Sequence, residues 1–258
     1  MHSARDSRKY VSYTLSIVVF VVAIIAWQLL VDMFHIPVYL LPGPFRIFRD
    51  MTSTSIGWPA AIIATLYETL AGFALSVVVG LLLAIVIAQS QMLRNIIYPY
   101  ILVAQIIPKV AIAPILVIWL GFGLESKIIL AFLVSFFPIV IDASTGLLLV
   151  DEDLRLLFRA LGANRLKYFL KLQLPNSVPY LFNGMKVAIS LAVIGAVVAE
   201  FISAKNGLGF LILEAQTVTD TTLAFASIVY LSVLGIVLFL AVMLSENLVR
   251  QWKPGVKG

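Results

Sequence analysis

The sequence predicts an all-α, polytopic membrane protein with about six transmembrane helices. Of its 258 residues, 62% are hydrophobic and only 12% are charged, and the mean hydropathy is +1.06. A soluble domain of this size does not have such a composition, whereas a helix that crosses a bilayer needs about 20 apolar residues. The apolar residues also occur in long runs, which polar segments separate.

The apolar runs divide the chain into six predicted spans. They cover approximately residues 14–31, 60–88, 99–120, 127–150, 179–203 and 223–244. No small-residue cleavage site follows the first run, so we expect an uncleaved helix rather than a signal peptide. Residues 32–59 are expected to form an outer loop with one short helix near residues 45–51, and residues 204–222 a second loop. Pro108 and Pro114 should bend the third span.

Two predicted spans carry small residues at every fourth position, a pattern that allows close helix packing. The stripes comprise Gly72, Ser76, Gly80, Ala84 and Ala88 in the second span, and Gly184, Ala188, Ala192 and Ala196 in the fifth. Because Glu68 and Glu200 continue these stripes, we expect both acids to face protein and the two helices to pack together. Two roles of Glu68 stay open: a structural hydrogen bond that fixes helix packing, or a part in a functional site.

Ionisable residues inside membrane spans are candidates for the lining of a polar pathway. The candidates in this chain are Glu68, Lys109, Asp142 and Glu200. Lys109 lies near the middle of the third span, where the alternatives are pairing with an acid such as Glu68 or extension toward the membrane surface. No catalytic set is expected. The chain has no cysteine and only two distant histidines, so no metal site is expected either.

Residues 151–175 form the longest polar interruption between the apolar runs. Three acids open this segment and five basic residues follow, an order that suits the helix dipole. An apolar i, i+3, i+4, i+7 pattern predicts an amphipathic first helix, which Gly162 should end or bend. A second short helix, residues 165–172, is expected to run up to Pro175. Such a basic, amphipathic pair predicts a docking surface for lipid head groups or for a partner protein.

The distribution of positive charge predicts the orientation of the chain in the membrane. Of the 18 Lys and Arg residues, 12 fall on the same side as the N-terminus, four on the other side and two within spans. This asymmetry predicts that both termini and residues 151–175 are cytoplasmic. The net charge of +5 is therefore interpreted as loop charge and not as a sign of nucleic-acid binding.

Segment 151–175 resembles the cytoplasmic EAA loop of ABC importer permeases, whose form is E-A-A, three residues, G, nine residues, I-x-L-P. The residues that match in register are Gly162, Leu172, Leu174 and Pro175. The E-A-A positions hold Leu156, Leu157 and Phe158, so the glutamate of the family is missing. Residues 107–123 and 206–216 also resemble permeases of the nitrate, sulfonate, taurine and pyrimidine-precursor class. The resemblance covers roughly residues 60–250.

The resemblance implies the permease subunit of a type I ABC importer, with a leading segment at 1–59, a permease domain at 60–250 and a cytoplasmic tail at 251–258. It also implies a homodimer in a bacterial inner membrane, with two ATPase subunits and an extracytoplasmic substrate-binding protein. ATP and Mg would be bound by the ATPase, because this chain has no P-loop and needs no cofactor of its own. The residues expected to couple to the ATPase are Leu157, Arg159, Ala160, Leu161, Gly162, Ala163 and Pro175.

The transported substrate does not follow from the sequence. The resemblance is compatible with small anions such as nitrate or sulfonates and with pyrimidine or vitamin-like molecules, and Lys109 favours an anion. Two other classes of function stay open. An ion-coupled secondary carrier could use Glu68, Asp142 and Glu200, although it would usually show two related halves. A membrane scaffold without transport is disfavoured by the kinked spans and the interior charge.

Overall fold

The structure is a computed structural model that describes residues 2–53, 56–203 and 205–251, with side chains described from residue 14 to residue 249. The predicted cytoplasmic tail therefore lies outside the described residues, apart from residue 251. The described residues form eleven α-helices and no strand. In order these are α1 (His2–Met33), α2 (Pro44–Met51), α3 (Trp58–Gln89), α4 (Gln91–Ile106), α5 (Lys109–Leu120), α6 (Leu124–Leu148), α7 (Glu152–Ala160), α8 (Arg165–Tyr168), α9 (Leu174–Ser203), α10 (Leu208–Thr217) and α11 (Thr221–Gln251).

Five helical segments of the described chain are long and apolar enough to cross a membrane, and the pair α4 and α5 would make a sixth span. The segments are Thr14–Met33, Trp58–Gln89, Leu124–Leu148, Arg165–Ser203 and Thr221–Val249. This confirms the predicted all-α class and the number of spans. The chain is therefore a multi-pass membrane protein.

The chain divides into two compact units, of which the first comprises Met1–Trp58 and Leu211–Val229. In this unit α2 is the short helix that the sequence predicts near residues 45–51. Its start is held by Gln28, whose Oε1 accepts a hydrogen bond from the Phe45 amide at 3.1 Å. At the other end of α2, the Trp58 indole donates to the carbonyl of Asp50, in the last turn of the helix, at 3.1 Å. Both ends of α2 are thus fixed by side chains from outside it.

The second unit comprises Pro59–Phe210 and Tyr230–Gly258, and α6 receives small residues from two neighbouring helices. A Cβ added at Gly72 of α3 would lie 2.5 Å from the Ala131 Cβ, and one added at Gly195 of α9 would lie 2.7 Å from the Ala131 Cα. Ser76 of α3 and Ser135 of α6 are hydrogen-bonded at 2.7 Å, one turn further along both helices. The small residues of α3 and α9 therefore let both backbones approach α6 closely.

The third predicted span is two helices rather than one kinked helix. The axes of α4 and α5 differ by 94° at the break between them. Pro108 precedes α5, and Ile107 before it has an extended backbone with ψ 129°. A residue before proline avoids the helical conformation, which explains why the break falls here. Pro114, by contrast, lies within α5 and does not interrupt it.

The structure corrects two further boundaries. The second cytoplasmic helix does not stop at Pro175, because α8 continues through a π-helical turn, Phe169–Gln173, directly into α9. The π-helical turn changes the hydrogen-bond register just where Pro175 has no N–H to donate. The predicted loop at residues 204–222 is also wrong in part, because it contains the ten-residue helix α10.

Candidate functional site

The helix α7 begins at a side-chain cap encoded in its own sequence. Asp151 Oδ1 accepts hydrogen bonds from the amides of Asp153 at 2.9 Å and Leu154 at 3.3 Å. These amides belong to the first turn, where a helix has no internal acceptor for them. Glu152 and Asp153 add negative charge at the same end, which the helix dipole favours. The predicted first helix of segment 151–175 is thus confirmed.

A tight turn at Gly162 joins α7 to α8. The Ala163 amide donates to the Phe158 carbonyl and the Gly162 amide to the Arg159 carbonyl, both at 3.0 Å. This pair of bonds is the Schellman motif, which needs a left-handed residue, and Gly162 has φ +67°. Asn164 then caps α8 by accepting from the Lys167 amide at 2.8 Å. We call α7, this turn and α8 the hairpin.

The hairpin presents apolar side chains outward. Leu157 is 50% exposed and Leu161 is 74% exposed, and no residue of α7 is buried. Of the other residues predicted to couple to a partner, three are exposed and two are half-buried. The exposed ones are Arg159, Ala160 and Gly162, and the half-buried ones are Ala163 and Pro175.

Amide side chains of the π-helical turn and of α9 bind the end of α6, on either side of the hairpin. The Gln173 side chain donates to the Leu147 carbonyl at 3.0 Å. The Asn176 side chain donates to the carbonyls of Gly146 at 2.9 Å and Leu149 at 2.7 Å. These bonds link the start of α9 to the last turn of α6, on either side of the hairpin. The ends of α6 and α9 are therefore joined to each other where the chain enters and leaves the hairpin.

Glu68 is buried in an ion pair. Its Oε1 lies 2.6 Å from the Lys127 Nζ, and the Glu68 residue is only 1% exposed. The predicted orientation of Glu68 toward protein is correct, but the suggested partner Lys109 is wrong. Lys127, which the sequence places near the outer end of its span, lies inside the first turn of α6. Glu68 Oε2 is buried and has no hydrogen-bond partner among the described residues.

Glu200 is also buried, and it holds the start of α10. Its Oε1 accepts from the Thr65 hydroxyl and its Oε2 from the Gly209 amide, both at 2.6 Å. The Leu208 amide donates to Thr65 Oγ1 at 2.9 Å. Two otherwise unpaired amides of the first turn of α10 are therefore satisfied by α3 and α9. The Glu68 and Glu200 carboxyl groups also interact electrostatically, so the two acids form one cluster.

Lys109 and Asp142 do not join this cluster. Lys109 is half-buried, donates to the Gln105 carbonyl and lies 4.4 Å from the centre of the Phe137 ring. Asp142 is half-buried and accepts from the Asn183 side chain at 2.9 Å. The four predicted interior residues thus form one buried cluster and two separate, partly open positions. Among the described residues, no group of three or more metal-ligating side chains occurs.

Sequence reasoning missed several polar partners inside the second unit. Thr65 lies on the Glu68 face of α3, one turn earlier, but nothing in its spacing indicates a contact with Glu200, 135 residues away. The ion pair of Lys186 with Glu246, at 2.8 Å, joins residues 60 positions apart. Such pairs depend on how helices pack, and the spacing of residues along the chain does not reveal it.

Comparison with known proteins places this fold among transport proteins. The family model described as "Binding-protein-dependent transport system inner membrane component" matches residues 76–251. The formylaminopyrimidine transport permease protein ThiX of Halalkalibacterium halodurans is 34% identical over 91% of this chain and 94% of its own length. The riboflavin transport system permease protein RibX of Chloroflexus aurantiacus is 32% identical over 89% of this chain and 87% of its own length.

A solved structure shows the same fold. An inward-facing conformation of the MetNI methionine ABC transporter superposes with a TM-score of 0.67 at 20% sequence identity. The superposition covers 77% of this chain and 99% of the matched chain. At this level of identity the likeness establishes the fold and no more.

Proposed function

The chain belongs to the family of binding-protein-dependent transport system inner membrane components, and on this premise we propose that it forms the membrane pathway for a small polar solute in an ATP-driven importer. The family consists of transport permeases and not of enzymes. The fold is that of a type I ABC importer permease. Such a permease works with a separate ATPase and a substrate-binding protein.

The observation that carries the proposal is the exposed hairpin between α6 and α9. Its outward Leu157 and Leu161 are not buried by any described residue, and Arg159, between them in the sequence, is exposed as well. An apolar centre with a charged rim is the usual composition of a protein interface. The hairpin lies in the chain between α6 and α9, and the hydrogen bonds of Gln173 and Asn176 join the facing ends of those two helical segments to each other. We therefore assign to the hairpin the docking of the ATPase and the transmission of its motion.

The interior residues divide between structure and pathway. Glu68 and Glu200 are engaged by Lys127, Thr65 and the start of α10, so their proposed role is to hold helices together. Lys109 and Asp142 are only half-buried although they lie in membrane-spanning segments. Polar residues in such positions usually face a water-filled cavity. We assign these two residues to the pathway lining. A secondary carrier that uses all three acids is not favoured by this arrangement.

The names of the relatives bear on the substrate. ThiX and RibX are named for formylaminopyrimidine and riboflavin, which are both nitrogen heterocycles. We propose a pyrimidine-like or vitamin-like molecule as the first candidate. A small anion such as nitrate or a sulfonate is the second candidate, favoured by the half-buried cation Lys109. Binding of each class of ligand to the partner substrate-binding protein would distinguish the two.

The proposed assembly consists of two copies of this chain, two ATPase subunits that bind ATP and Mg, and an extracytoplasmic substrate-binding protein in a bacterial inner membrane. Both termini and the hairpin would lie in the cytoplasm, as the distribution of Lys and Arg indicates. This orientation puts the hairpin on the side where ATP is available.

The test of coupling uses two glycines with nearly the same positive φ. Gly162 has φ +67° and Gly57 has φ +66°, and a Cβ added at either would meet no atom within 4 Å. Gly162→Trp and Gly57→Trp therefore introduce equal bulk and similar strain into the chain itself. We expect Gly162→Trp to abolish ATPase binding or to uncouple hydrolysis from uptake, and Gly57→Trp to retain ATPase binding.

Three quantities should be measured separately on the reconstituted complex: ATPase binding, substrate-stimulated hydrolysis and uptake. Normal uptake with normal stimulation in Gly162→Trp would show that the hairpin does not transmit the motion. The hairpin would then be interpreted as an amphipathic surface lying on the inner leaflet.

A further inference from the structure

A cavity with a basic lining lies beside the hairpin. It has a volume of about 370 Å³ and opens where the ends of α3 and α6 meet α4 and the hairpin. Its charged lining consists of Arg94 on α4, Arg155 on α7 and Arg165 on α8, and no acidic side chain is among the described residues that line it. We call it the arginine cavity. It is separate from the outward face of Leu157 and Leu161.

The three arginines of the cavity have few acidic or hydrogen-bonding partners among the described residues. Arg94 is half-buried, and its Nε is buried without a hydrogen-bond partner among the described residues. Arg155 has one acidic neighbour, Glu152, but the pair is 3.5 Å apart and both side chains are largely exposed. Arg165 makes no ion pair with any described residue. Buried polar groups normally have partners, so the unpaired Nε of an arginine that lines a basic cavity suggests a place for an anion.

We propose that the arginine cavity binds a phosphate group. The guanidinium group is planar, stays charged and donates two parallel hydrogen bonds to phosphate oxygens, so a cluster of arginines is suited to this ligand. The other basic residues of α8 and the π-helical turn, Lys167 and Lys171, are exposed and do not line the cavity. Arg94, Arg155 and Arg165 therefore line the concave site, while Arg159, Lys167 and Lys171 remain on the open surface.

The position of the cavity points to two sources of phosphate. It lies at the ends of the membrane-spanning helices α3 and α6, which end at Gln89 and Leu148. Lipid head groups occupy this level, and basic pockets between helices on the cytoplasmic side bind anionic lipids. Free phosphate or a soluble phosphate ester would offer the same chemistry. Either ligand would join Arg94 of α4 to the hairpin and restrain its position.

The test of lipid binding uses the full chain with the partner subunits it retains, in nanodiscs of phosphatidylcholine with or without phosphatidylglycerol. Native mass spectrometry would count the phosphatidylglycerol molecules retained by the wild type, by Arg94→Gln and by Arg94→Gln/Arg165→Gln. Lys167→Gln is the matched control, because it removes one exposed charge from α8. Arg94→Lys keeps the positive charge but lacks the two parallel N–H donors of the guanidinium group. It shows whether a loss of lipid binding in Arg94→Gln reflects misfolding.

The test of free phosphate measures thermal unfolding in phosphatidylcholine nanodiscs, with inorganic phosphate or chloride at equal ionic strength. For the ligand that binds, each arginine removed should weaken binding about tenfold or more, as expected for a lost charge-assisted hydrogen bond. Lys167→Gln should bind like the wild type. If the retention of phosphatidylglycerol depends on the arginines, the cavity is a lipid site. If the change of unfolding temperature with phosphate depends on them, the ligand is a soluble phosphate.

The proposal would be overturned if all variants retained the same number of phosphatidylglycerol molecules and showed the same change of unfolding temperature with phosphate. A loss of ATPase binding in the arginine variants with unchanged phosphate and lipid binding would also overturn it, because the cavity would then receive acidic side chains of the partner. None of these outcomes bears on Gly162→Trp, so a failure here leaves the proposed coupling role intact.

Discussion

The ion pair between Glu68 and Lys127 illustrates how single side chains hold the membrane helices of the second unit together. It joins α3 to α6 at 2.6 Å, and both residues are buried. A buried ion pair adds little net stability compared with apolar residues, but removal of one partner leaves an uncompensated charge. The pair is therefore a sensitive place to perturb the packing of α3 on α6.

We expect Lys127→Leu to lower the free energy of unfolding by roughly 3–5 kcal/mol, because Glu68 is left buried without its cation. The double variant Glu68→Leu/Lys127→Leu should be much closer to the wild type. Glu68→Gln should be milder than Glu68→Leu, since an amide oxygen can still accept from Lys127. Denaturant unfolding in detergent would measure these values, with the exposed Lys167→Leu as control. A double variant as unstable as the sum of the two single variants would refute this account.

The orientation of the buried acids was predictable from the sequence, but their partners were not. The four-residue spacing of small side chains correctly places Glu68 and Glu200 toward protein. It does not identify Lys127 or Thr65, because these lie on other helices at separations of 59 and 135 residues. The suggested pairing of Lys109 with Glu68 was wrong for the same reason: charge alone does not determine which helices meet.

The helical elements show the same division between local and distant determinants. α7 and its turn were predictable because Asp151, Gly162 and Asn164 act within a few residues of their own positions. α10 was not, since its first amides are satisfied by Thr65 and Glu200 from other helices. The break between α4 and α5 was predicted only as a bend, because a proline indicates an interruption and not its angle.

The cap of α7 gives a prediction at the scale of one element. Asp151→Ala removes the acceptor of the Asp153 and Leu154 amides and should destabilise the first turn of α7 by about 1 kcal/mol. Hydrogen exchange of these two amides should therefore be about fivefold faster. Asp151→Asn keeps a side-chain oxygen and serves as the control. Equal exchange in Asp151→Ala and the wild type would show that the cap does not hold this turn.

At the scale of the whole molecule, the proposed pathway can be mapped with single introduced cysteines, because the chain has no cysteine of its own. If Asp142 faces a water-filled pathway, Asp142→Cys in the reconstituted complex should react with a membrane-impermeant thiol reagent. Ser76→Cys is a close control, since Ser76 is fully buried between α3 and α6 and the change is nearly isosteric. It should stay unreactive toward both water-soluble and lipid-dissolved reagents. An unreactive thiol in the Asp142→Cys variant would remove Asp142 from the pathway.

The last prediction concerns the number of copies in the assembly. The described part of one chain contains five or six candidate spans, and Glu68 and Glu200 are already engaged by groups of the same chain. A pathway lined by the half-buried Lys109 and Asp142 needs a second wall, which another copy related by a two-fold axis would provide. We expect native mass spectrometry to show two copies of the 28.3 kDa chain together with two ATPase subunits.

The Gly162→Trp variant separates the two interfaces of this assembly. It should retain two permease copies, and where it abolishes docking it should lose the ATPase subunits, because the ATPase is the one subunit that the hairpin is proposed to contact. A single copy that retains ATP-dependent uptake would contradict the two-fold arrangement. Loss of the permease dimer together with the ATPases would instead show that the ATPases hold the two copies together, and that the membrane helices alone do not.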